Sequence, residues 1–183
     1  IPLPNETEET YYDGIKFLMD NNVKTQTYTL MLIVGTELGR DESARVNEIK
    51  AKFRILPKQF GQYNDEKVFE IEKVCVGTKT MSYQSYLNCR NYSFIVKLLG
   101  QPVFTPIYKL IQKIGISWYD FSRAVTKTVE DNSHKSQLKT LYDEFCYESH
   151  NELFETEQKA KDFYSIEENY QKLFRGEMGE NLL

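Results

Sequence analysis

The chain has 183 residues, 40% of them hydrophobic and 27% charged, and its 13 Tyr and 11 Phe bring the aromatic share to 14%. That is a folding composition, and the length suits one domain or part of one with an appended subdomain. A net charge of -4 and a pI near 5.4 argue against unaided binding to nucleic acid or to an anionic membrane, which both select a basic face.

IPLP at 1–4 reads as the end of a short apolar strand stopped by prolines. Asn5 or Thr7 caps the helix that follows, and Glu6, Glu8 and Glu9 place negative charge where the helix dipole favours it. Thr10 offers no Glu or Gln for a capping box. Tyr11, Ile15, Leu18 and Met19 recur at helical spacing, and Asp-Asn-Asn at 20–22 ends the helix. TQTYTLMLIVG at 25–35 alternates and then turns apolar on consecutive residues, which predicts a strand covered on both faces. Its apolar run is too short to span a bilayer. Strand end, helix and strand in this order predict a β-α-β unit with parallel strands.

Beyond Gly35, the polar stretch predicts a loop and a helix around 41–52. FRILP at 53–57 reads as a short strand, KQFGQYND as a loop, and 67–80 as one or two strands or a hairpin limb. After Met81 the pattern turns helical, with one segment ending at Gly100 and the next at Gly115. Residues 116–131 and 136–163 give two further helical patterns, and the tail is expected to fray after Gly176. A boundary near residue 80 divides mixed α/β at 1–80 from nearly all helix at 81–183.

Cys75, Cys89 and Cys146 are odd in number and far apart, which fits free thiols in a reducing cytoplasm. The opening residues lack the basic and then apolar pattern of a secretory leader, so the sequons at Asn5 and Asn91 read as chance. G-x-S-x-G, P-loop and G-x-G-x-x-G motifs are all missing. Cys146 and His150 have a workable ligand spacing, but two ligands do not make a site. His134 reads as a solvated loop residue. Ligands gather at the carboxyl ends of parallel strands. That rule brings forward Asn5, Glu6 and Thr7 after the first strand, and Thr36 and Glu37 after the second. The plainer roles are a helix-start charge for Glu6 and a solvated carboxylate for Glu37.

IPLPNETEETYYDGIKFL resembles the fifth-strand segment of radical S-adenosylmethionine enzymes, where an apolar strand leads into Gly-Leu-Pro-Gly-Glu-Thr and an acidic helix start. TYTLMLIVGTEL is similar to the next barrel strand. AKFRILPKQFGQY and VCVGTKTMSYQSYLNCR look like the stretch that follows in members carrying an upstream cobalamin-binding domain. Residues 1–90 carry the resemblance, with Pro2 and Asn5 standing where the family usually has glycines.

The resemblance implies an α/β fold, the C-terminal part of a partial (β/α) barrel followed by a mostly helical extension. It implies S-adenosylmethionine and a four-iron four-sulfur cluster as cofactors, and adds cobalamin through the likeness of the later stretches. Pro2, Leu3 and Asn5 would line the adenine end of the cofactor site, and Glu6 would orient that loop. Glu37 would stand at the barrel mouth near cofactor or substrate. Arg54 would pair with a carboxylate or phosphate of a small-molecule substrate, or else serve in a helix cap or buried ion pair. The family's Cys-x-x-x-Cys-x-x-Cys motif is not in these residues. Its thiolates are therefore expected in an upstream part of the same polypeptide, and this chain alone is expected to be inactive. The competing expectation is a non-catalytic interaction module. The two differ in whether an apolar face around Leu30–Val34 stays open or closes into a globule.

Overall fold

The computed structural model describes residues 1–131, 133 and 135–180. Its sheet is an antiparallel hairpin of β1 (Lys50–Tyr63) and β2 (Glu66–Gly77). β1 runs on through KQFGQY, the segment expected to be a loop. A register shift between Ile55 and Phe60, with Lys58 at φ 61°, lets Pro57 sit in the strand without a ladder donor. Asn64, at φ 54°, opens the two-residue turn.

Shorter pairings widen the hairpin on both sides. Leu32 N–H donates to Lys73 O and Cys75 N–H to Leu30 O, each at 2.8 Å, as an antiparallel bridge of Met31 with Val74. Beyond that, Ile1 donates to Tyr28 O and its carbonyl accepts from Leu30 N–H at 2.9 Å, the slanted pattern of parallel neighbours. On the far side, Phe53 and Phe154 exchange both backbone hydrogen bonds, at 2.8 and 2.7 Å.

The segment 25–35 is therefore paired over 28–32 but is not covered on both faces as expected. Ile33 is 54% and Val34 96% exposed. The chain turns there, with Thr36 N–H bonded to Ile33 O and Gly35 at φ 88°, so the end of the apolar run leaves the sheet.

Helix α1 (Glu8–Asp20) joins Ile1 to this segment. Thr7 and Thr10 form a reciprocal capping box after all, because a threonine Oγ accepts the Thr7 N–H as a glutamate would. Tyr11, Ile15 and Met19 are buried against α3 (Tyr83–Leu99), which runs alongside in the same direction. Asn88 meets Glu8, and Tyr11 OH meets Ser93 Oγ at 2.7 Å. Each such apolar burial contributes roughly 1.5–3 kcal/mol. Val74 and Val76 before residue 80, and Met81 and Tyr86 after it, share this cluster, so the core runs through the change of composition.

The short helix α2 (Asp41–Val46) ends earlier than expected. After α3 come α4 (Thr105–Lys113), α5 (Trp118–Glu130), α6 (Gln137–Asn151), α7 (Glu157–Ser165) and α8 (Glu167–Phe174). The single pattern expected over 136–163 is broken between α6 and α7. Phe154 spends its backbone bonds on Phe53, and Thr156 caps the new helix. α7 and α8 cover the outer half of the hairpin around Ile55, Tyr164 and Leu173. Past Gly176, where the tail is expected to fray, Met178 packs on that cluster, and residues 181–183 lie outside the described residues. No single helix among the described residues is long and apolar enough to cross a membrane.

Candidate functional site

Residues 2–7 form a tight, internally bonded loop at the start of α1. Pro2 is fully buried, Leu3 is half-exposed, and Asn5 holds φ 65°, a left-handed backbone that asparagine tolerates. The Glu6 carboxylate accepts the Leu3 N–H at 3.0 Å, and Glu6 N–H bonds Leu3 O at 3.1 Å. From the other side, Thr80 donates its hydroxyl to Glu6 O at 2.7 Å. Glu6 thus closes the turn on itself, and the loop ahead of α3 braces it.

Glu37 lies on an exposed turn in which Gly39 N–H bonds Thr36 O and Arg40 N–H bonds Glu37 O. Among the described residues no hydrogen bond or ion pair joins it to the loop at 2–7. The two loops expected to share a site are therefore not tied to one another by this chain's own side chains.

Arg54 is buried, and carboxylates already take its guanidinium. Nε donates to Glu72 at 2.5 Å and Nη1 to Glu152 at 3.3 Å. Burial opposes its charge, but Glu152 and Glu72 outweigh that and raise its pKa above the ordinary arginine range. Of the expected alternatives, the buried ion pair describes this contact. The same Glu152 oxygen accepts from Arg90 Nη2 at 2.8 Å, while Arg90 Nε and Nη1 donate to Ser149 Oγ and Thr29 Oγ1 at 3.0 and 3.2 Å. The network links β1, β2, α3 and α6 to the segment at 28–32. Sequence reasoning passed over Arg90 and Glu152. The available signal was an arginine four residues after Tyr86, on the apolar face of α3.

Cys75 and Cys89 are buried, and Cys146 is half-buried against the helical core. Burial raises all three thiols, to about 12 for Cys89 and about 11 for Cys146, which opposes the thiolate form a metal needs. Among the described residues no three His, Cys, Asp or Glu are grouped to hold a metal, and His150 instead meets Tyr83 OH at 3.4 Å. These donors do not fit a four-iron four-sulfur cluster. His134 lies outside the described residues.

A concavity lies at the other end of α1. It is an open cleft of about 580 Å³ between the end of α1, the last turns of α3 and the start of α4. No protein-family model matches the chain, and no curated protein matches it with significant similarity.

Proposed function

We propose that residues 1–80 supply closing strands of a radical S-adenosylmethionine barrel, with 81–183 as a helical extension packed on them. The whole would belong to a longer polypeptide whose upstream part carries the cluster-binding cysteines. The observation that carries this reading is the parallel bonding of Ile1 to Tyr28 and Leu30 across α1, in a segment whose sequence resembles the family at Leu-Pro-Asn-Glu-Thr. Supporting it is the exposed apolar run at Ile33–Val34, a surface a continuing barrel would cover.

In this reading the cluster and S-adenosylmethionine supply the radical chemistry, with cobalamin bound by an upstream domain. This chain's residues shape the pocket wall. Glu6 fixes the turn that presents Pro2, Leu3 and Asn5 to the adenine end, and Glu37 stands at the mouth. Arg54 holds the wall together through Glu72 and Glu152 instead of meeting substrate.

The gene's reading frame ahead of the Ile1 codon tests this directly. The expected result is an in-frame Cys-x-x-x-Cys-x-x-Cys. A stop codon immediately before Ile1 would overturn the proposal.

A further inference from the structure

α4 carries apolar side chains on two sides. The inner side packs on the protein: Ile111 is buried, Phe104 joins the cluster around Ile95 and Tyr142, and Tyr108 meets Trp118 edge-on at 5.1 Å beside the cleft. The outer side carries Val103, Ile107, Leu110 and Ile114, spaced four, three and four residues apart, which lines them up along one side of a helix. They are 75%, 40%, 57% and 58% exposed. A 3₁₀ turn at Pro102–Phe104 leads straight into α4. The chain bends by 69° between α3 and this segment, so α4 turns away from α3 instead of extending it.

The charge beside this stripe has one sign. Lys109 and Lys113 lie one turn apart on the same helix and are exposed, and among the described residues neither meets a carboxylate. Residues 73–119 contain no Asp or Glu, although the whole chain carries -4. The neighbouring Asp20 is held by Lys16 and by Ser117 Oγ at 3.0 Å. The net charge that argues against an anionic membrane is therefore carried elsewhere, and the segment bearing α4 is locally basic.

We infer that α4 docks on the surface of an anionic lipid bilayer, with the aliphatic stripe at the acyl boundary and Lys109 and Lys113 at the headgroups. A surface helix with an exposed aliphatic side and lysines beside it has the pattern of interfacial membrane helices, and lysines close to anionic lipid add attraction. A second copy of the chain fits less well. A two-fold contact would present the same lysines from both partners with no acid opposite. Four aliphatic side chains also fall short of the roughly 800 Å² per partner of a standard interface. The inference needs no residue of the barrel strands.

The test sediments the 183-residue chain with sucrose-loaded vesicles, made of phosphatidylcholine alone or of an equal mixture with phosphatidylserine. Circular dichroism confirms the fold of every variant. The expected result is binding to the mixed vesicles that weakens as salt screens the lysines, and far weaker binding to phosphatidylcholine alone. Lys109→Gln and Lys113→Gln should each weaken it by about fivefold, the share of one lysine near an anionic surface. Leu110→Ser with Ile114→Ser should weaken it by roughly tenfold or more, since two aliphatic side chains leave the lipid. Ile33→Ser with Val34→Ser, at the other exposed apolar run, should leave it unchanged. No binding by the folded chain, or equal binding to both vesicles, would overturn the inference. So would a concentration-dependent dimer in analytical ultracentrifugation that Leu110→Ser with Ile114→Ser dissociates, because the stripe would then belong to a second copy.

Discussion

Glu152, just past the end of α6, stands 2.8 Å from Nη2 of Arg90 in the middle of α3, with Arg90 buried and Glu152 largely so. The same carboxylate reaches Arg54, and Glu72 balances the second cation, so two guanidiniums and two carboxylates neutralise one another away from water. Charges in such a place depend on one another far more than exposed pairs do. The network also joins the helical extension to the sheet and to Thr29, beside the residues that pair with Ile1.

Removing Glu152 leaves the buried guanidinium of Arg90 without an anion and Arg54 with Glu72 alone. Glu152→Ala is expected to destabilise the fold by about 3–5 kcal/mol, measured by urea unfolding. Arg54→Met with Glu72→Met should cost less than Arg54→Met alone, since the double change leaves one fewer orphaned charge. An Ala variant within about 1 kcal/mol of the parent, the exposed-pair range, would contradict the burial of the network.

Stability should fall on the alkaline side. Burial raises Tyr11 and Cys89 to about 12 and Cys146 to about 11. In the unfolded chain such groups ionise first, from about 8.5 for Cys and about 10 for Tyr. Above that point the native state holds more protons than the unfolded one, so stability falls as pH rises toward the folded values. Below it, the stabilisation is fully present. The urea midpoint should drop between about pH 8 and 11, and a midpoint flat across that range would contradict the assignment. Under native conditions a thiol reagent should reach half-buried Cys146 before Cys75 or Cys89.

The tail is held by Gly179, at φ +73°, where an added Cβ would lie 2.7 Å from Leu173 Cδ2 and 2.9 Å from Ile55 Cγ2. Gly179→Ala should cost about 1–3 kcal/mol as overpacking on top of the left-handed backbone. Gly35→Ala, also at positive φ but with nothing within 4 Å, should cost only the backbone share, about 1–2 kcal/mol. Thermal melts of the two variants check the order.

The side chains of Leu3, Tyr28, Ile33 and Val34 are each exposed in this chain and offer apolar surface. Nile red, an uncharged dye, should bind it, and Ile33→Ser with Val34→Ser should lower the signal without lowering stability. A cooperatively melting monomer that leaves the dye unbound would count against an open face.

Local signals made much of this fold legible. The helical spacing of Tyr11, Ile15 and Met19 marked α1, and Gly100 marked the end of α3, because periodicity and caps are written within a few residues. What failed was non-local. Nothing near Pro57 says that β1 continues past it, since the partner that holds the bulge lies in β2. The break at Phe154 depends on Phe53, and the role of Arg54 depends on Glu152, nearly a hundred residues away. The loop at 2–7 could be found because Pro, Asn, Glu and Thr build it from adjacent positions. The cleft at Trp118 could not, because its walls come from α1, α3, α4 and α5.

The most direct measurement uses the full-length polypeptide encoded by the reading frame, purified and reconstituted with iron and sulfide without oxygen, then given S-adenosylmethionine and dithionite. Iron–sulfur absorbance and formation of 5′-deoxyadenosine are expected, with Glu6→Ala, which opens the turn at Leu3, raising the KM for S-adenosylmethionine while the iron content stays the same. A folded full-length protein that binds no iron and leaves S-adenosylmethionine intact would contradict it.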